Sequence, residues 1–162
     1  MKNRVALCKP PYFIPDSLFF ISYSIVKIII AGAGAVGTHL AKLLSREKQD
    51  IILIDDNEER MSTLSSNFDL MTVNASPTSI KELKEVGAGE ADLFIAVTPD
   101  ESRNITACML ATNLGAVKTV GRIDNYEYLL PKNKEFFQKL GVDSLIYPEM
   151  LAAKEIVSSI RM

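Results

Sequence analysis

The sequence predicts an α/β protein built on a doubly wound, all-parallel sheet of six strands. Three observations predict it. Short apolar runs, among them Ile28-Ile29-Ile30-Ala31, Ile51-Ile52-Leu53-Ile54 and Ala91–Val97, alternate with amphipathic segments. That alternation is the signature of parallel strands buried on both faces by helices. The first run leads straight into Gly32-Ala33-Gly34-Ala35-Val36-Gly37, and the second ends on acidic Asp55, about 20 residues further on.

Each element follows in order. Strand one is Lys27–Ala31, and the next helix starts near Ala35, with Val36, Leu40, Leu43 and Leu44 spaced to share an inner face. Strand two is Asp50–Ile54. Asp56 and Glu59 approximate a capping box for a helix that buries Met61 and Leu64. Strand three is Leu70–Val73, followed by a helix from Thr78 with Ile80 and Leu83 inward and Gly87 at its end. Ala91–Val97, apolar except for Asp92, is a central fourth strand. Ile105, Cys108, Met109 and Thr112 mark the helix after it, stopped by Gly115. Strand five is Val117–Arg122. Phe136, Phe137 and Leu140 mark a helix ending at Gly141, and strand six is Val142–Tyr147. Pro148 opens a last helix with Met150, Ala153, Val157 and Ile160 inward. This connectivity predicts the strand order 3-2-1-4-5-6, with a ligand crevice at the carboxyl ends of strands one and four.

The glycines carry the functional signal. Strand, glycine turn, helix, strand and acid together form the Rossmann dinucleotide-binding fingerprint, where GxGxxG alone is weak. Gly32 permits the sharp turn, Gly34 lets a pyrophosphate approach the backbone, and Gly37 permits close helix–sheet packing. The helix beginning near Ala35 aims free N–H groups and a positive dipole end at phosphate. Asp55 accepts hydrogen bonds from both ribose hydroxyls. With Asp56 it repels a 2′-phosphate, which disfavours NADP. ATP and ADP carry the same free hydroxyl as NAD, so Asp55 does not separate them.

At 162 residues and a net charge of −2, the chain suits one domain, and interspersed charges give no basic patch for nucleic acid. The domain is expected over 26–162, with 1–25 a non-domain extension. Pro10, Pro11, Pro15 and Asp16 interrupt what would otherwise resemble a signal peptide. Leu18–Ile30, broken by Ser22, Ser24 and Lys27, is too short to span a bilayer. Val26 is the expected true start. Cys8 and Cys108 make neither a disulfide framework nor a metal cluster, and Cys108 reads as a reduced core thiol.

Catalytic candidates are few. Tyr128 and Lys132 have the Tyr-x-x-x-Lys spacing of short-chain dehydrogenases, but Pro131 interrupts the helix they would share. His39, the only histidine, reads as a solvent-facing or interface residue. Asp100-Glu101 reads as a helix start complementing the dipole. No metal-ligand spacing appears. No room is left for a substrate domain, so the expectation is a non-enzyme.

The stretch 26–150 resembles the nucleotide-binding N-terminal domain of the TrkA family of potassium uptake regulators, also called the KTN or RCK N-domain. The resemblance rests on Lys27-Ile28-Ile29-Ile30-Ala31-Gly32-Ala33-Gly34, Ile54-Asp55 and Asn67-Phe68-Asp69-Leu70. It continues through Ala88-Gly89-Glu90-Ala91-Asp92-Leu93-Phe94-Ile95-Ala96-Val97-Thr98, Asp100-Glu101-Ser102-Arg103-Asn104, Arg122 and Ile146-Tyr147-Pro148-Glu149. It implies regulation rather than catalysis: a cytoplasmic domain on the inner face of the membrane, attached through a potassium-translocating subunit. Such domains assemble as dimers or larger rings and change shape with bound NAD(H) or ATP/ADP. By position, Gly32 to Val36 would cradle phosphate and Asp55 would hold the adenosine ribose. Thr98 and Pro99 would border the nicotinamide or the terminal phosphate. Arg122 would offer a cation to the ligand or pair with Asp124, and Asn74-Ala75-Ser76 would contact adenine or form an ordinary turn. Ala35 stands where some ATP-binding relatives carry arginine, which favours NAD(H). Two other readings remain: the cofactor-binding fragment of an NAD-dependent oxidoreductase, and a redox-sensing domain of another regulator.

Overall fold

Alternate residues of each central strand enter opposite cores. Ile29 and Ala31 of β1 (Lys27–Ala31), Ile52 and Ile54 of β2 (Asp50–Asp55), and Phe94 and Ala96 of β4 (Leu93–Ala96) face one layer. Ile28, Ile30, Ile51, Leu53 and Ile95 face the other. A strand's side chains alternate with period two, so only a sheet covered on both sides makes uninterrupted Ile/Leu runs stable. The computed structural model describes residues 25–67 and 70–148, and it has that architecture.

All pairings are parallel, in the order β3-β2-β1-β4-β5-β6, with β3 Met71–Asn74, β5 Lys118–Arg122 and β6 Ser144–Ile146 completing the sheet. The expected order 3-2-1-4-5-6 is therefore the order found. Helices α1 (Ala35–Ser45) and α2 (Glu58–Asn67) cover one face through Ala41 and Met61. Helices α3 (Ile80–Glu85), α4 (Glu101–Leu114) and α5 (Pro131–Lys139) cover the other through Leu83, Ala107, Cys108, Ala111 and Phe137. The order reverses between β1 and β4, where neighbouring crossovers leave on opposite faces and open a crevice at the strands' carboxyl ends.

Several local expectations change. Helix α1 buries Gly37 and Ala41, with Leu40 and Leu44 partly buried, while Val36 and Leu43 are nearly half exposed. A Cβ on Gly37 would stand 1.7 Å from the Gly32 carbonyl oxygen, so α1 lies too close to the sheet for a large side chain there. The cap of α2 is Asn57, whose Oδ1 accepts from the Arg60 amide at 2.9 Å, rather than Asp56 with Glu59. Ser79 caps α3 and leaves Ile80 exposed, while Leu83 is buried as expected. Strands three to six shift by one or two residues at their ends. The last helix, with Met150, Ala153, Val157 and Ile160, lies outside the described residues, as does the extension before Ile25.

Candidate functional site

The turn after β1 is held by the sheet on two sides. Gly32 donates to the Ile54 carbonyl at 2.8 Å, and Val97 donates to the Ala31 carbonyl at 2.8 Å. Gly32 has φ +113°, and an added Cβ would press on the backbone of Val97 and Thr98, so only glycine fits. A Cβ on Gly34 would point into open space. The N-cap of α1 is Gly34 itself, with no capping side chain and no acid in the first turn. By contrast, Asn57, Ser79 and Asp100 cap α2, α3 and α4. The first amides of α1 therefore lack a side-chain oxygen, and they carry the positive end of an 11-residue dipole.

Asp55, the last residue of β2, is buried beside that turn. Its Oδ2 accepts from the Ala33 amide at 2.7 Å, and its Oδ1 accepts from the Asn57 amide at 2.9 Å. The Arg60 guanidinium stands 3.5 Å from Oδ2. Each carboxylate oxygen carries two lone pairs, so Oδ1 keeps capacity for a further donor, and Oδ2 does so once Arg60 swings aside. Across the crevice, Thr98 is fixed by fully buried Asn104. Asn104 Oδ1 accepts from the Thr98 amide and hydroxyl at 2.9 and 2.7 Å, while Nδ2 donates to the Thr98 carbonyl at 2.9 Å. The other Nδ2 proton goes to the Arg122 carbonyl at 3.0 Å. Sequence reasoning assigned Asn104 no role. A polar residue among the core positions of α4 was the available signal.

A cavity of about 240 Å³ opens between these walls, lined by Gly32, Asp55, Thr98 and Pro99 of the predicted site. Asp56, Asn57, Arg60, Pro77 and Arg103 complete the lining, and of these the sequence had singled out only Asp56 for the ligand. Ala33, Gly34 and Ala35 border an adjoining open groove of about 590 Å³ with Thr38, His39, Lys42 and Arg60. Val36 is exposed, and Gly37 packs beneath the turn. Asn74, exposed at the end of β3, lines neither space, and neither does Arg122. Arg122 Nη2 stands 3.4 Å from Asp124 Oδ1. Its Nε is buried without a partner.

The other candidates stand apart. Asp100 caps α4, accepting from the Ser102 and Arg103 amides at 2.9 and 3.2 Å. Glu101 braces the loop after β5 by accepting from the Asp124 and Asn125 amides. Pro131 opens α5, so Tyr128 and Lys132 belong to different elements, and Tyr128 packs on Phe137. Burial pushes the Cys108 thiol up to about 12. Among the described residues no cluster of His, Cys, Asp and Glu could hold a metal, and no helix is long and apolar enough to cross a membrane.

The TrkA-N domain model matches residues 28–148. The chain is 44% identical over 133 residues to the Trk system potassium uptake protein TrkA of Haemophilus influenzae, covering 81% of this chain and 29% of that one. It is 32% identical over 126 residues to a TrkA homolog of Methanothermobacter thermautotrophicus, covering 78% of this chain and 56% of that protein. The chain thus spans under a third of the first relative and just over half of the second. Among solved structures, the TrkA-N domain of the inner membrane protein YbaL from Escherichia coli superposes with TM-score 0.70 at 14% identity, over 83% of this chain and 96% of that one. GsuK bound to ADP superposes with TM-score 0.64 at 25% identity, over 81% of this chain and 32% of that one. A GsuK channel bound to NAD gives TM-score 0.63 at 17% identity, over 78% and 22%.

Proposed function

The chain belongs to the TrkA-N domain family, and on that premise we propose that it is a nucleotide-binding regulatory module of a potassium uptake system. One observation carries the reading. The buried Asp55 carboxylate and the uncapped start of α1 meet at a single turn, joined by the 2.7 Å hydrogen bond from Ala33 to Asp55. The residues fit an adenine nucleotide. Open space at Gly34 admits a diphosphate to the amides of Gly34, Ala35 and Val36. Asp55 keeps one lone pair on Oδ1 for a ribose hydroxyl and gains a second on Oδ2 when Arg60 moves aside. A 2′-phosphate brings negative charge and no proton for Asp55 to accept, which counts against NADP. The absence of a cation at Ala35 counts for NAD(H) over ATP and ADP.

The chemistry of the site supports a reading of regulation without turnover. The Thr98 hydroxyl is committed to Asn104 and the Asp100 carbonyl, and no paired acid and base face the cavity. Arg122, with a buried unpartnered Nε, serves the ligand's far end or its Asp124 partner. A ligand shifts a domain only by binding two arrangements with different affinities. Here it bridges the turn of β1 and the β2 and β4 ends, so it biases how those walls sit. The partner is a membrane-embedded potassium-translocating subunit, reached from the cytoplasmic face by a homodimer or larger ring.

Thermal-shift titration of the full chain with NAD, NADH, ATP, ADP and NADPH tests this reading. NAD(H) raises the melting temperature most, ATP and ADP less, and NADPH least, and Asp55→Asn removes most of the shift. Equal shifts in wild type and variant would show that Asp55 does not hold the sugar. Sustained NADH oxidation with a small carbonyl substrate would overturn the regulatory reading.

A further inference from the structure

The cavity beside Asp55 has an unusual lining for a base pocket. At about 240 Å³ it is smaller than the roughly 300–1,000 Å³ typical of drug-sized ligands. It therefore takes one end of a dinucleotide, with the phosphates running out along the glycine turn. Asp55 places that end as the nucleoside. A buried purine needs a surface on its face, and the lining contains no aromatic ring and no large aliphatic side chain. Pro77, Pro99 and two guanidiniums are what remain. Arg60 is drawn towards Asp55, at the sugar.

Arg103 is differently held. Its backbone amide is bound by Asp100 in the cap of α4, and its side chain crosses from the β4 wall to pair with Asp56 at the end of β2. The two residues are 47 apart in sequence, and both line the cavity. Arg103 is 29% exposed and Asp56 45%, so the bridge is solvent-screened and opens at little cost. A guanidinium is planar, delocalised and weakly hydrated, and it stacks on nucleobases where an ammonium does not.

We infer that Arg103, tethered at the cavity wall by Asp56, is the surface on which the nucleotide's base stacks. Asp56 is then a positioning residue that keeps the guanidinium over the pocket rather than over the phosphates. The inference rests on the nucleotide reading of the cavity. It assigns base recognition to α4, a different element from those that hold sugar and phosphate.

Calorimetric affinities for ADP, and for inorganic pyrophosphate by competition with ADP, test it on the full chain. Arg103→Gln weakens ADP about tenfold and leaves pyrophosphate unchanged. Arg103→Lys, which keeps the charge and loses the plane, does not restore ADP binding. Asp56→Asn weakens ADP about threefold, and adding it to Arg103→Gln costs nothing further. Equal loss of ADP and pyrophosphate in Arg103→Gln, or rescue by lysine, would mean that the cation serves the phosphates and would overturn the inference. Unchanged ADP affinity in Arg103→Gln would leave the bridge a surface ion pair and overturn it alone. A wild-type chain that binds neither ADP nor NAD would overturn the nucleotide reading as well.

Discussion

Asp55 Oδ2 accepts a 2.7 Å hydrogen bond from the amide of Ala33, which ties the acidic end of β2 to the glycine turn after β1. The same carboxylate accepts from Asn57 at the start of α2. One side chain thus sets the turn that would receive phosphate, the helix beside it and the acceptor that would receive sugar. Structure and binding are coupled through it.

Removing that carboxylate therefore costs stability before any ligand is added. Ala33 is buried, so Asp55→Ala leaves its amide without an acceptor at a cost of about 1–3 kcal/mol. Asp55→Asn keeps one acceptor oxygen and costs less. Urea melts without nucleotide should rank wild type above Asp55→Asn above Asp55→Ala. Equal stabilities would show that the Ala33 bond is replaced by water.

The first and last glycines hold the fold, and the middle one leaves the approach open. Gly37→Ala would put Cβ at 1.7 Å from the Gly32 carbonyl, so α1 must move off the sheet, at about 1–3 kcal/mol. Gly34→Ala meets nothing within 4 Å and starts from an extended backbone, φ −73°. It should melt like wild type yet bind nucleotide more weakly, because its methyl occupies the approach to the amides. A Gly34→Ala variant with undiminished affinity would place the phosphates elsewhere.

Asn104 is the counterpart on the other wall. Its amide makes four hydrogen bonds with no exposure, joining the end of β4 to the end of β5. Asn104→Leu, similar in size, strands the Thr98 amide and weakens the hold on the Arg122 carbonyl, at about 3 kcal/mol. Hydrogen exchange should show the Thr98 amide losing protection well beyond the global destabilisation. Retained protection would mean another acceptor takes over.

The strands, their order and the fingerprint were legible because each is a local pattern. Apolar runs such as Ile51–Ile54 mark strands, and glycine spacing between a strand and a helix marks the turn. The inner face of α1 was not legible, since counting large apolar side chains points to Val36 and Leu43. The helix instead sits so close to the sheet that Gly37 and Ala41 must face it. The Asp56–Arg103 bridge and the Asn104 clamp were also hidden. The bridge joins residues 47 apart, which only the β2–β1–β4 adjacency brings together. Asp56 has a capping residue's chemistry, but Asn57, one residue nearer the helix, holds that role.

Cys108 provides a pH-linked test of the core. Its thiol is fully buried on α4, and desolvation first, then the charge of Asp143, pushes its pKa from 9.0 to about 12 against the bond near Ala96. The folded state therefore keeps the proton to higher pH than the unfolded state. Above pH 9 the unfolded chain holds fewer protons, so stability from this group is full below pH 9 and declines as pH rises towards 12. With Cys8→Ser removing the other thiol, the native chain should be inert to a disulfide reagent at pH 8 and react fully in denaturant. Rapid labelling of the native chain at pH 8 would mean that α4 opens locally far more often than its packing implies.

Gly121 tests the same layer in the stabilising direction. It lies within β5, and a Cβ there would meet Cys108 Sγ and Val142 Cγ1 at 3.5 Å, ordinary contact distances. Its φ is outside the left-handed region, so alanine fits without strain. Gly121→Ala restricts the unfolded chain and fills contact space between α4 and Val142 of the loop before β6, and should add about 0.4–1 kcal/mol. Denaturant melts would register this as a higher midpoint at unchanged slope. A lower midpoint would mean that α4 sits closer to β5 than these distances allow, and the assignment of Cys108 to a tightly packed layer would need revision.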